Sequence, residues 1–599
     1  MKDRSPGKIY QQQIEKHKES LNRLLKKKNL LGWLRLLVFL ATVIISFKIF
    51  AASGAIGLLP ALIGFALFLY LVFIDTDNNE NIENTKTLIN INEEELKILN
   101  NDLSHRPDGV NYLPHVHDYA QDLDLFGTVS LFQLLNRSSS EQGQNLLANN
   151  LLHPLTQDQI LKRQEAVAEL SPTVEWRQQF QSFSRQTTIT TSTETKIINW
   201  LSEEDKHFKS PYWKVFVWLY TVVTLSSAAA AIAGYIPSGT FLFLFTLYFI
   251  ISIILSRNTI KPYILLSKIV REISTVEKLV NWIENKNLTS SLLVQMQQNL
   301  QAKNGNASAQ IRRLKSILDK FDLRLNIVGP LFMNSFLLWD VRQMMALNEW
   351  RKKNKLIAPR LFETIAEMEV LNSLAAVHFN YPHWSFPKFA DTYFFFESRE
   401  LGHPLIPEKE RVNNHLKIEN NTLVSLVTGS NMAGKSTFLR SIGVNIVLAQ
   451  MGSPVCAENF ILSPVRLMTS MRISDNLAEN TSTFYAELKK LKTIIEAVNR
   501  HENIFVLLDE MLRGTNSQDR HTGSAAFITQ LIRQGRFAVI ATHDLELADL
   551  KKQYPQALEN YHFDVQVKGE ELFFDYKLKA GVCHSLNASL LMKKIGIEL

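Results

Sequence analysis

Two short stretches of this chain carry residue types suited to handling a polyphosphate. The first, Gly429-Ser430-Asn431-Met432-Ala433-Gly434-Lys435-Ser436-Thr437, has the spacing G-x-x-x-x-G-K-S. Its glycines let successive backbone N–H groups curl round a phosphate, Lys435 reaches the terminal phosphates, and the Ser436 hydroxyl faces a magnesium ion. The second, Ile504-Phe505-Val506-Leu507-Leu508-Asp509-Glu510, is an apolar run closed by two carboxylates. Such a run reads as a strand buried on both faces, where paired acids are costly unless they serve a cation or a water. The pattern assigns Ser436 and Asp509 to Mg²⁺ and Glu510 to orienting and deprotonating an attacking water. ATP and Mg²⁺ are therefore the expected cofactors, and ATP hydrolysis the expected reaction.

A third signal is the apolar run Phe537 to Ala541, which leads into Thr542-His543-Asp544. A histidine at that strand end is expected over the terminal phosphate, sensing its loss. The polar turn Arg513-Gly514-Thr515-Asn516-Ser517 is expected to face the nucleotide or a partner subunit. His115, His117 and Asp118 lack a fourth ligand at recognisable spacing, which favours a surface or capping role over a metal site.

These groups need an α/β scaffold. Thr422 to Val427 is expected as the strand entering the glycine-rich loop, and Thr437 to Met451 as a helix whose amino end faces phosphate. The 74 positions from Lys435 to Asp509 suit two parallel strands with helices between them. Tyr393 to Phe396 is a further strand candidate. Upstream the pattern is helical, with helices expected at Glu93 to Leu103, Gln157 to Leu170, Lys268 to Glu284, Gln310 to Asp322 and Leu361 to Phe379.

The distribution of charge along the 599 residues is uneven. Overall 46% of residues are hydrophobic and 21% charged, yet no Asp, Glu, Lys or Arg occurs in the 42 residues between Lys214 and Arg257, nor in the 26 between Lys48 and Asp75. Runs of that length suit membrane spans. Four are expected in two hairpins: Leu31 to Phe50 with Leu58 to Ile74, and Val215 to Ala233 with Thr240 to Leu255. A basic amino-terminal arm precedes the first hairpin, and Arg257 and Lys261 follow the second. That asymmetry places both termini and the ATPase region on the cytoplasmic side of an inner membrane. With Cys456 and Cys583 as the only cysteines, no disulfide framework or cysteine zinc site is indicated. The net charge of +7 permits an anionic partner without requiring one.

The expected organisation is thus a basic arm over 1–30, a first transmembrane hairpin over 31–74 and a helical core over 75–210. A second hairpin over 211–256, a helical lever over 257–388 and a P-loop ATPase domain over 389–599 follow.

The phosphate loop, with Asn431-Met432 inside it, resembles the G-P-N-M-G-G-K-S-T loop of the DNA mismatch-repair MutS family. Asp509-Glu510-Met511-Leu512-Arg513-Gly514-Thr515 is similar to that family's D-E-I-G-R-G-T, with Leu512 where a glycine stands. Ala541-Thr542-His543 matches A-T-H, and Asp475 to Phe484 resembles D-D-L-A-S-G-R-S-T-F. The resemblance implies an ABC-type ATPase fold in a homodimer, with Ser482 reaching across to the neighbour's nucleotide. It also implies a mismatched or branched double-stranded DNA partner in repair or recombination. Looser similarity runs through Leu135-Asn136-Arg137, Leu151 to Pro154, Arg163 to Val167, Glu369 to Ala375 and Gly402-His403-Pro404, and implies a helical core and lever.

The departures are specific. Both hydrophobic hairpins differ from the soluble repair proteins, and no amino-terminal mismatch-reading domain is evident. Phe395-Phe396-Glu397 reads as core, a full clamp has little room between Arg257 and Glu369, Asn480-Thr481 replaces a Gly-Arg pair, and Arg520 replaces a small residue. A membrane-tethered MutS-like ATPase is the leading reading. A transporter or mechanochemical ATPase, and an adaptor that only binds nucleotide, stay open, although neither an L-S-G-G-Q signature nor an intramembrane carboxylate pathway is present.

Overall fold

The computed structural model describes the chain apart from residues 1–4, 204–207, 209, 303–304, 323–327, 356, 392–393, 420, 431–432, 473–482, 569–570 and 584–599. It divides into two units. One comprises Met1–Glu93, Arg137–Gln144 and Thr173–Val370, the other Glu94–Asn136, Asn145–Pro172 and Leu371–Leu599.

The first unit is helical. Its long helices α1 (Pro6–Ser53) and α2 (Leu58–Leu99) are joined by a single 3₁₀ turn, Gly54–Gly57. They run antiparallel: Arg35 pairs with Asp75 at 3.1 Å, Asn78 donates to the Leu24 carbonyl, and the Thr42 side chain fills the space over Gly64. The basic residues of the expected arm from Lys8 onward belong to α1, where Lys16 meets Glu175 at 2.7 Å and Tyr10 is buried. α3 (Tyr212–Ile232) and α4 (Ser238–Ser256) form the second apolar pair, turning at Gly234 with φ 83°.

Among the described residues three helical stretches, not four, are long and apolar enough to cross a membrane: Pro6–Leu99, Tyr212–Ile232 and Ser238–Ser256. The first stretch contains the α1–α2 turn: α1 ends at Ser53 and the chain reverses through Gly54–Gly57, inside the expected Ala51 to Gly57, so the first two expected spans fall within one stretch. A short apolar helix that the sequence reading missed, α5 (Val328–Leu337), is tied to α3. The Tyr220 hydroxyl donates to the Ser335 carbonyl at 2.9 Å and the Thr224 hydroxyl to that of Phe336 at 2.7 Å.

The second unit owes its fold to three largely apolar central strands. In chain order the strands are β1 (Lys388–Phe389), β2 (Phe396–Leu401), β3 (Asn414–Ile418), β4 (Val424–Thr428), β5 (Asn459–Leu462), β6 (Arg466–Ser470), β7 (Ile504–Asp509), β8 (Phe537–Thr542), β9 (Leu558–Lys568) and β10 (Glu571–Ala580). Every residue of β4, β7 and β8 is buried, as strands covered on both faces require. They lie in a six-stranded sheet ordered β10-β9-β4-β8-β7-β6, parallel throughout except for β10. A four-stranded sheet ordered β1-β5-β2-β3 flanks it in sequence, and Phe396 of β2 is buried core, as expected.

Three helices cover the large sheet: α6 (Lys435–Gln450), α7 (Thr483–Asn499) and α8 (Ser517–Arg533). Leu491 and Ile494 of α7 and Phe527, Ile528 and Leu531 of α8 share one core with Val424, Val506, Leu508 and Ile540. On α6, Gly443 permits close approach, since a methyl there would come within 2.7 Å of Leu123 and 3.1 Å of Leu507.

Candidate active site

Three adjacent parallel strands end at one edge of the sheet, which is how residues far apart in sequence come together. β8 lies between β4 and β7, with Thr542 in register with Thr428 and Ala541 with Asp509. The loop after β4 carries Gly429 to Gly434, the end of β7 carries Asp509 and Glu510, and the end of β8 carries His543. Ligands bind outside the carboxyl ends of strands in open sheets of this kind.

The loop needs its glycines. Gly429 has φ 145° and a methyl there would meet the Phe563 carbonyl at 2.9 Å; Gly434 has φ 101° and caps α6. Ser430 and Ala433 close a turn through the Ala433 N–H, which donates to the Ser430 carbonyl. Lys435, Ser436 and Thr437 form the first turn of α6, two residues earlier than the helix start expected from sequence. Their backbone N–H groups lie at the positive end of that helix. Asn431, Met432 and Ser482 lie outside the described residues.

Lys435 is 2% exposed, and its Nζ donates to the carbonyls of Gly429 and Ser430, both at 2.8 Å. Burial pushes its pKa down to about 8, opposed by the charges of Glu510 and Asp509. The ammonium also lies 3.4 Å from His543 Nε2.

Asp509 and Glu510 have different surroundings. Asp509 is buried, and its Oδ1 has no hydrogen-bond partner among the described residues. An orphaned carboxylate oxygen is costly in that position, and Asp509 and the Ser436 hydroxyl are hard-oxygen donors of the kind that could hold Mg²⁺. Glu510 Oε1 instead meets His543 Nε2 at 2.5 Å, while Oε2 pairs with Arg513 Nε at 3.1 Å. The hydrogen bond from His543 holds the Glu510 carboxyl below its ordinary range despite burial, with Arg513 and Lys435 adding to the effect.

Some participants were not evident in the sequence. Arg513, placed there only in a turn facing nucleotide or partner, donates to the Asp509 carbonyl at 3.1 Å as well as pairing with Glu510. Glu487 of α7 was missed, and it accepts the backbone N–H groups of Leu512 and Arg513. The only sequence signal for it was Leu512 in a glycine's place, a hint that the loop needs outside support. His117 is a cap: its Nδ1 accepts the N–H groups of Tyr119 and Ala120, both at 3.3 Å.

Residues 425–592, which include these three strand ends, match the family described as MutS domain V. The carboxy-terminal domain is homologous to the MutS ATPase domain. The chain is 36% identical over 237 residues to "DNA mismatch repair protein MutS" of Thermotoga sp. (strain RQ2), covering 39% of this chain and 29% of that protein. It is 32% identical over 240 residues to the protein of the same name from Persephonella marina, 39% of this chain and 27% of the relative. It is also 32% identical over 245 residues to human "MutS protein homolog 4", 39% and 25%. The match thus spans less than a third of these curated relatives. MutS domain V homology implies an ATPase-type enzymatic domain that uses nucleotide and Mg²⁺.

Proposed function

We propose that this chain is a membrane-tethered MutS-like ATPase that binds and hydrolyses ATP with Mg²⁺ and uses the cycle to rearrange a homodimer and its helical arms. The observation that carries the reading is the convergence of Lys435, Asp509, Glu510 and His543 at one sheet edge, with His543 Nε2 at 2.5 Å from Glu510 and 3.4 Å from Lys435.

In this reading the loop from Gly429 to Thr437 cradles the phosphates and Lys435 supplies positive charge to the terminal ones. Ser436 and Asp509 would hold Mg²⁺, which when bound neutralises charge on the phosphate oxygens. Glu510, kept ionised by His543 and Arg513, orients the attacking water and accepts its proton. His543 bridges base and lysine, so it is placed to register the state of the terminal phosphate. Ser482 would complete the neighbouring subunit's site.

The partner and location follow the same reading. Mismatched or branched double-stranded DNA is the proposed partner, because two of the named relatives carry the name DNA mismatch repair protein. The apolar parts of α1 and α2, which turn back at Gly54–Gly57, and of α3 and α4 would anchor the chain in the inner membrane as two hairpins, with both termini and the ATPase domain on the cytoplasmic side. Turnover of ATP by the full chain in detergent, with and without branched DNA at low salt, tests both parts. Hydrolysis that rises with DNA and falls by roughly two orders of magnitude in Glu510→Gln, while ATP still binds, is the expected result. Hydrolysis indifferent to every DNA form would remove the DNA role alone. No nucleotide binding with Mg²⁺ present would remove the whole reading.

A further inference from the structure

The backbone that presents Glu510 is strained. Glu510 has φ 51° and Leu512 φ 59°, so two side-chain-bearing residues in a row of three occupy the left-handed region. Such conformations are unfavourable for residues that carry a Cβ and persist only where neighbours over-determine them.

One neighbour does this from another element. Glu487, on the second turn of α7, is 4% exposed, and its two carboxylate oxygens divide the work: Oε1 accepts the N–H of Leu512 and Oε2 that of Arg513 at 3.1 Å. Packing reinforces the clamp. A methyl at Gly514 would come within 2.6 Å of Phe484 Cβ, so α7 lies directly on the loop, and Leu512 fills the space over Gly523 of α8. Burial raises the Glu487 carboxyl above its ordinary value, which makes an ionised acid here expensive unless donors face it. The two amides are those donors.

We propose that Glu487 is a positioning residue for hydrolysis: by holding the Leu512 and Arg513 amides it maintains the left-handed turn that aims Glu510 at His543 and sets Arg513 against both acids. Both of its carboxylate oxygens are engaged with the loop backbone. Its role is to fix the base, and it rests on the reading of Glu510 as that base. Leu512 makes the dependence acute, because a leucine at φ 59° does not take up that conformation without support, whereas glycine does.

The test is steady-state ATP hydrolysis by the full chain in detergent, with ATP affinity measured separately on the same preparations. Glu487→Ala should lower kcat by about tenfold or more while KM and ATP affinity change by less than about threefold, the signature of a misplaced base rather than a lost binding contact. Glu487→Gln, which keeps one accepting oxygen, should fall between. The decisive variant is Glu487→Ala combined with Leu512→Gly: removing the strain should restore kcat by at least about threefold over Glu487→Ala alone, a non-additive pair. A residue that only stabilised the fold would cut binding stoichiometry and kcat together, and glycine would not rescue it. Wild-type turnover in Glu487→Ala, alongside a dead Glu510→Gln, would overturn the inference and leave the ATPase reading standing. An inert wild-type chain would overturn that reading itself, and the inference with it.

Discussion

His403 shows how a residue remote from the strand ends sets the pH range of the second unit. It is buried, and its Nδ1 accepts the Leu405 N–H at 3.3 Å, so the imidazole is neutral with its proton on Nε2. Burial, with Arg440 and Arg411 nearby and Asp124 opposing, pulls its pKa from the ordinary 6.5 down to about 4. The unfolded chain therefore binds a proton between those values that the folded chain refuses. Stability falls as pH drops through 6.5 towards 4, by about 3 kcal/mol from this group at the lower end. Thermal unfolding of the full chain from pH 7.5 to 4 should show that loss, and His403→Gln, which can still accept the Leu405 N–H, should flatten the acid slope. Equal slopes in the two proteins would rule the histidine out as the source. The same contrast of surroundings separates Asp509 from Glu510, one a buried carboxylate with an oxygen unpartnered among the described residues and the other a half-buried acid held ionised first by the His543 hydrogen bond and then by Arg513 and Lys435. Sequence adjacency alone gave no basis for that difference in environment, although it did give the pair.

At the scale of elements, the site is held by charges that arrive from a distant segment. Asp122 is buried and accepts from the Thr469 hydroxyl at 2.6 Å, the Met471 and Arg472 N–H groups, and Lys490 Nζ at 2.6 Å. It thereby ties the end of β6 to α7, while Asp124 pairs with Arg472 and, at 3.6 Å, with Arg440 on α6. Asp122→Ala leaves two backbone amides and an ammonium without their acceptor, at a cost of about 3 kcal/mol. The unfolding midpoint of the second unit should drop by about 6 °C or more; a shift under about 2 °C would show that water replaces the carboxylate. None of this was legible beforehand, because Asp122 lies in a polar stretch with no periodic signal and its partners are some 350 positions away. What was legible had a local cause. β7 and β8 were readable as unbroken apolar runs, the helix Gln157–Leu170 matched residue for residue, and α6 was misplaced by only two residues at its start. α5 escaped notice because its ten residues include Gly329, Pro330, Asn334 and Ser335, and the remaining apolar ones carry no pattern that separates helix from loop.

For the molecule as a whole, helix length and exposed apolar surface carry the most weight. α1 has 48 residues, which at the helical rise is about 72 Å, more than twice the roughly 30 Å of a bilayer's hydrocarbon core. Only its second half is apolar, and the change comes just after Lys26, Lys27 and Lys28, all exposed. Beyond that point the surface is greasy: Phe47 is 74% exposed, Ile63 of α2 70%, and Phe243 of α4 70%. A soluble surface does not sustain contiguous apolar area of this kind, whereas lipid covers it without cost. The lysines then sit where an interface would place them, with stems along the apolar surface and ammonium groups in water. If the apolar halves of α1 to α4 lie in lipid, the chain should stay with the membrane through 1 M salt and alkaline carbonate washes and come off only in detergent. Surface charge attraction would be screened under those conditions, since the Debye length falls to about 3 Å at 1 M. A sharper outcome comes from placing arginine at Leu67 and Leu247 together, both exposed near the middle of their apolar runs. Each arginine costs about 3 kcal/mol at the centre of a spanning helix, so the double variant should shift into the carbonate-soluble or aggregated fraction while exposed polar-half controls such as Lys27→Glu do not. Release of the unmodified chain by salt alone would mean that another protein, not lipid, covers these faces.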